Sequence, residues 1–117
     1  VLGDALLLKG YNVHTSETHG LGQRGGKVKT FLRYGSVDLA PLPTLGSADI
    51  IIATEKSAVL DVLNFAHPKK TTKFVIDPYK IEIVGVQYPS DNYIQEKLNE
   101  KRNSSKIWKS DYQLCLY

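Results

Sequence analysis

Cysteine is nearly absent from this 117-residue chain: Cys115 stands alone. One thiol forms no internal disulfide and cannot supply the four thiolates of a Cys₄ iron–sulfur cluster. The shortage points to a reducing compartment, and the expected location is the cytoplasm. Methionine is missing altogether, so no initiator residue is included. Long apolar runs are missing too: none approaches the ~18 residues of a membrane span. Val1 to Leu8 has neither the basic leader nor the cleavage site of a secretory signal. Charge of one sign is scarce as well. Fifteen basic and twelve acidic side chains leave a net +3, too small an excess to argue for nucleic acid. The loose basic group Lys97, Lys101, Arg102, Lys106 and Lys109 reads as a solvated helix face. Neither nucleic acid nor a membrane is an expected partner.

The chain has one domain's worth of residues, with the 42% hydrophobic content of an ordinary globular protein. Its most distinctive stretch is Ser16-Glu17-Thr18-His19-Gly20-Leu21-Gly22-Gln23-Arg24-Gly25-Gly26. A carboxylate, an imidazole, a carboxamide, a guanidinium and four glycines leave little apolar surface to bury. The stretch is predicted to be a loop close to function.

Around it, periodicity predicts alternating helices and strands. Val1 to Lys9 is a helix tail ending on Gly10 at the position after its cap. Tyr11 to Thr15 and Val28 to Tyr34 are strands. Gly35 to Ala48, with Pro41 and Pro43, is a loop. Asp49-Ile50-Ile51-Ile52-Ala53 is a continuous apolar run, the pattern of a parallel strand buried on both faces. Ser57 to Ala66 is a core-facing helix that His67-Pro68 ends. Lys73 to Ile76, Ile81 to Val86 and Lys106 to Trp108 are further strands. Ser90 is the N-cap of a helix from Asp91 to about Arg102, whose narrow apolar stripe places it on the surface. The predicted fold is α/β: a Rossmann-like three-layer domain with a mostly parallel sheet. The chain opens inside a helix and closes on Gln113-Leu114-Cys115-Leu116-Tyr117, an unfinished apolar element. The expectation is a single domain over residues 1–117, truncated at both ends.

Several residues carry candidate chemistry. Glu17 and His19 would share a face in a strand and are conceivable as an acid–base pair; in a loop each would bond local backbone. Neither has a nucleophile in a recognisable setting beside it, which disfavours an independent hydrolase. His14, His19 and His67 have no metal-binding spacing. Gln23-Arg24-Gly25-Gly26 sets a guanidinium beside backbone free to turn, a combination suited to a phosphate, a carboxylate or a partner's acidic side chain. It also suits a plain turn, and it is not a Walker motif. Glu55 follows a buried strand and precedes a helix. It either faces the crevice at the strand ends, where ligands of open α/β sheets gather, or complements the helix N-terminus. Cys115, in an apolar setting, reads as an inert packed thiol.

Tyr11-Asn12-Val13, then Ser16-Glu17-Thr18-His19-Gly20 and Gln23-Arg24-Gly25-Gly26, resemble the gamma subunit or domain of 2-oxoacid:ferredoxin oxidoreductases. Within that family the chain looks most like the beta subunit of indolepyruvate:ferredoxin oxidoreductase. Val28 to Gly35, Pro41-Leu42-Pro43 to Gly46, Ala48-Asp49-Ile50 and Ala53-Thr54-Glu55 extend the resemblance over about residues 1 to 80. The family usually opens with a strand and a Gly-x-Gly-Gly-Gln-Gly loop, which this sequence lacks. Lys56 to Asp61 also departs from the second acidic residue and arginine that often follow the family's glutamate.

The resemblance implies an accessory subunit of an enzyme that converts a 2-oxoacid, coenzyme A and oxidised ferredoxin into an acyl-CoA, carbon dioxide and reduced ferredoxin. Thiamine diphosphate, Mg²⁺ and iron–sulfur clusters are then expected in partner subunits, none bound by this chain alone, with CoA as cosubstrate. The expected partners are the large thiamine-binding subunit and, through the complex, ferredoxin. The substrate or CoA contacts, or else the subunit contacts, would be Glu17, Thr18, His19, Gly20, Gln23, Arg24, Gly25, Gly26 and Glu55, with no catalytic residue on this chain. The substrate reading is an arylpyruvate such as indolepyruvate. The alternatives are a pyruvate or other 2-oxoacid enzyme, or a stand-alone Rossmann-like module for CoA or nucleotides.

Overall fold

The computed structural model describes residues 1–18, 28–68 and 72–102. The chain divides into two compact units, Val1–Thr44 and Leu45–Tyr117. It is α/β, as its periodicity predicts, but the described residues hold two separate two-stranded sheets rather than one layered parallel sheet.

The first unit begins with helix α1 (Leu2–Leu8). Gly10, at φ +87°, closes it. The Gly10 amide donates to the Leu7 carbonyl and the Tyr11 amide to that of Leu6, at 2.9 and 3.2 Å. That pair of bonds is a Schellman motif, whose left-handed residue is easiest for glycine. Strands β1 (Asn12–Thr18) and β2 (Lys29–Gly35) then pair antiparallel, from Asn12 opposite Gly35 to Thr18 opposite Lys29.

Period-two alternation gives this pair two faces. Val13, Thr15 and Leu32 meet α1 where Gly3 lets the helix approach: a Cβ at Gly3 would lie 3.6 Å from Leu32 and Val13. The other face carries His14, Ser16 and Arg33, which fasten the proline loop. His14 Nε2 lies 3.1 Å from Asp38 Oδ1, and Ser16 Oγ donates to the Pro41 carbonyl at 3.2 Å. Arg33 Nη1 donates to the carbonyls of Ala40 and Leu42, at 2.6 and 3.2 Å. Edge-to-face stacking of Tyr11 on Tyr34, centroids 5.3 Å apart, finishes the helix-side surface. No described residue of this unit is fully buried.

The second unit has a closed core. Strands β3 (Ile50–Ala53) and β4 (Lys73–Ile76) run parallel, Ile50 opposite Lys73 and Ala53 opposite Ile76. Between them Lys56–Phe65 forms a 3₁₀ helix where an ordinary core helix was predicted. Ile51, Ala53, Val59, Leu63 and Ala66 make the core, together with Ile94 and Leu98 of helix α2 (Asp91–Arg102). Ser90 caps α2 as predicted, its Oγ accepting the Tyr93 amide at 3.2 Å.

Four expectations fail, each for a local reason. The Ile50–Ala53 strand is not buried on both faces: Ile51 and Ala53 are buried, while Ile50 and Ile52 are more than half exposed, because the helices cover one side only. α2 does not lie on the surface. Its stripe is narrow, but Ile94 and Leu98 are one turn apart and both enter the core. Ile81 to Val86 is no strand. Its chain turns at Gly85 (φ +83°), where the Val86 amide donates to the Ile83 carbonyl at 3.0 Å. Finally, β1 runs on to Thr18, so Ser16, Glu17 and Thr18 stand in a strand rather than a loop. The predicted Lys106–Trp108 strand and Cys115 lie outside the described residues. Among the described residues no helix is long and apolar enough to cross a membrane.

Ile94 is the largest fully buried side chain, 1% exposed. Ile94→Ala should lower the unfolding free energy by about 2–5 kcal/mol, read from urea denaturation. At Gly46, φ is +72° and a Cβ would sit 3.2 Å from the Pro68 ring. Gly46→Ala should therefore lower the melting temperature as well, whereas Ala at Gly3 should be tolerated.

Candidate functional site

Of the nine residues singled out by sequence, Glu17, Thr18 and Glu55 are described. His19, Gly20, Gln23, Arg24, Gly25 and Gly26 lie outside the described residues. Glu17 stands opposite Thr30 and Thr18 opposite Lys29, both on the exposed end of the first unit's strand pair. The Thr18 hydroxyl donates to the Lys29 carbonyl at 3.4 Å.

Glu55 is the informative one. It sits just past the carboxyl end of β3, in extended backbone (φ −145°, ψ 139°), and caps the 3₁₀ helix. Only 8% of it is exposed. Its Oε2 accepts the Ser57 hydroxyl at 2.6 Å and the Ala58 amide at 3.0 Å. Its Oε1 accepts the Ile81 amide at 3.4 Å and the Tyr88 hydroxyl. The Tyr88 oxygen in turn accepts the Ser57 amide at 3.1 Å. Burial by itself would push the carboxyl pKa up. The donors, Ser57 and Tyr88 first and then backbone amides, overcome that and hold it at about 2 instead of 4.5. Tyr88 responds oppositely: burial and the neighbouring carboxylate both push its phenol up.

A cluster of charge lies beside Tyr88. Asp91, in the first turn of α2, lies 2.9 Å from Lys80 Nζ and 3.0 Å from Lys56 Nζ. The two ammonium groups, Lys80 first, hold the Asp91 carboxyl below its usual range. Asp91 correspondingly raises Lys80, which lies 5.7 Å over the Tyr88 ring. The Lys56 amide donates to the Tyr79 carbonyl at 2.9 Å.

Chemically, a carboxylate with four donors and a depressed pKa is a poor proton acceptor near neutrality. Glu55 is built to stay charged and to hold backbone. Of the two sequence readings, the geometry realises the complement to the helix N-terminus and adds two contacts from the segment after β4. Sequence reasoning missed Ser57, Tyr88, Asp91, Lys56 and Lys80. The Glu-x-Ser spacing was a readable signal for Ser57, but nothing local announces Tyr88, thirty-three positions away. Among the described residues no group of three or more His, Cys, Asp or Glu side chains could hold a metal ion.

The second unit thus offers a parallel strand pair whose carboxyl ends are closed by a buried carboxylate network. The class this belongs to is given by sequence comparison. Residues 1–113 match the family described as pyruvate ferredoxin/flavodoxin oxidoreductase, and the chain belongs to that family. Its similar relatives are called indolepyruvate oxidoreductase subunit IorB. That of Archaeoglobus fulgidus is 40% identical over 81 residues, covering 69% of this chain and 39% of the relative. That of Methanothermobacter thermautotrophicus is 32% identical over 111 residues, 89% of this chain and 54% of the relative. That of Pyrococcus horikoshii is 32% identical over 108 residues, 88% and 52%. The chain spans about half the length of these curated relatives.

Because the folded pKa of Glu55 lies below its ordinary 4.5, its stabilisation is complete above that value and fades as pH falls toward about 2. The difference corresponds to about 3 kcal/mol. Acid titration followed by circular dichroism should show wild type losing stability across this window. Glu55→Gln should be less stable at pH 7 by about 1–3 kcal/mol and show a flatter acid profile. Identical profiles would mean that Glu55 is not the group being titrated.

Proposed function

We propose that this chain acts as an accessory subunit of a thiamine-diphosphate-dependent 2-oxoacid:ferredoxin oxidoreductase, contributing to assembly and to the substrate or CoA site. The carrying observation is family membership over residues 1–113, joined to relatives named as subunits of indolepyruvate oxidoreductase. Those names favour an arylpyruvate such as indolepyruvate as the substrate of the whole enzyme. The β3–β4 pair with its covering helices supplies the kind of unit from which a Rossmann-like layered sheet is built.

On this reading the redox and carbanion chemistry resides in partner subunits. A chain with one cysteine does not fit the four-thiolate set of an iron–sulfur cluster. Thiamine diphosphate would supply the electron sink for decarboxylation, and the large subunit would carry it with Mg²⁺ in the cytoplasm. What this chain brings is surface. In the Ser16–Gly26 segment, an arginine beside glycines is the combination of residue types suited to an anionic group, whether of CoA or of the partner.

Two experiments test the proposal. Co-expressed with the large thiamine-binding subunit, the chain should restore indolepyruvate- and CoA-dependent dye reduction. Undiminished oxidation by the large subunit alone would sink the assignment. Isothermal calorimetry of the isolated chain with CoA and nucleotides separates the stand-alone binding module, which should bind without a partner. Within the complex, Arg24→Ala should raise the apparent KM for CoA or weaken assembly about tenfold, as expected for one charge-assisted contact. A slowed chemical step with both unchanged would instead place Arg24 at the reaction itself.

A further inference from the structure

We infer that the stretch between Lys80 and Tyr88 forms a strap that opens independently of the core, fastened beyond the backbone bonds that anchor Asp77 and Tyr79 by two carboxylate latches of different physical character. The chain leaves β4 with the Asp77 amide on the Ala53 carbonyl at 2.8 Å, and turns as the Tyr79 amide donates to Asp77 Oδ1 at 2.8 Å. Pro78 and Pro89 stand near its two ends. The strap exposes Tyr79, Ile81, Ile83, Val84 and Val86, with Val84 at the turn fully open. Among the described residues, Glu82 to Gln87 take no hydrogen bond from the core. Their one backbone bond is internal, from Val86 to Ile83.

The inner latch is Glu55. Its Oε1 receives the Ile81 amide from one end of the strap and the Tyr88 hydroxyl from the other. A single oxygen therefore closes the Glu82–Gln87 loop, and it does so from a buried position that salt screens little. The outer latch is Asp91, whose side chain is half exposed and grips Lys80, itself 41% exposed. Such a pair is screened by added salt. It fixes one end only. Loss of the outer latch loosens the Lys80 side while the loop stays closed; loss of the inner latch frees Ile81 and weakens the hold on Tyr88, returning loop entropy, while the Asp77 and Tyr79 backbone bonds to Ala53 and Lys56 keep the chain anchored where it leaves β4. Glu55 is thus a positioning residue for the apolar strap rather than a contact residue in its own right.

Native-state trypsin cleavage after Lys80 reads strap opening, because local release is what admits the protease. The full chain is compared with Glu55→Gln, Tyr88→Phe and Asp91→Asn at low and high salt. Tyr88→Phe keeps the ring and serves if Glu55→Gln fails to fold. Glu55→Gln and Tyr88→Phe should speed cleavage after Lys80 about tenfold, with little salt dependence, while cleavage after Lys73 and Lys97 stays slow. Asp91→Asn should speed it a few-fold at low salt, and wild type should approach that rate at high salt. Unchanged cleavage after Lys80 in Tyr88→Phe would overturn the inner latch. Cleavage rising equally after Lys73, Lys80 and Lys97 would overturn the strap's independence and make Glu55 a support of the whole unit.

Discussion

The second unit is organised around one carboxylate that stays charged although it is nearly buried. Glu55 caps the 3₁₀ helix through Ala58 and fixes Ser57. Through Ile81 and Tyr88 it also draws the segment after β4 back over the strand ends. An isolated buried carboxylate would neutralise itself by raising its pKa. Here enough donors converge to do the reverse. Such a network is costly to break in part, because the Ser57, Ala58 and Tyr88 donors left behind are themselves buried or half-buried.

The first unit is organised differently. None of its described residues is buried, and its strand pair is dressed on one face by α1 and on the other by the proline loop. Arg33 shows how a loop without regular structure is held: one guanidinium donates to two of its carbonyls, those of Ala40 and Leu42. Much apolar surface stays open in this chain, including Leu8, Tyr34 and Leu42 in this unit and Ile50 and Ile52 in the other.

Much was legible in the sequence because it is local. The glycine that ends α1, the serine that starts α2 and the proline beyond the 3₁₀ helix act on backbone within a few residues. The family was legible for a similar reason, since a string such as Ser16-Glu17-Thr18-His19-Gly20 is read without any geometry. The parallel character of Ile50–Ala53 was also correct, although the inference that both faces are buried was not. Hydrophobicity states what a side chain tolerates, not which neighbour arrives to cover it. The same gap misplaced α2: a stripe so narrow looks superficial until Ile94 and Leu98 both enter the core.

The amino-acid sequence by itself determined the end of α1, the start of α2, the α/β class and the family, because caps, turns and motifs are short-range. Only the tertiary structure decided which donors gather around Glu55. Its cap on the following helix is a local contact, through Ala58 and Ser57, but its bonds to Ile81 and Tyr88 come from far away along the chain. A side chain's pKa and its role are set by the atoms within a few ångströms of it, and folding, not sequence proximity, selects those atoms.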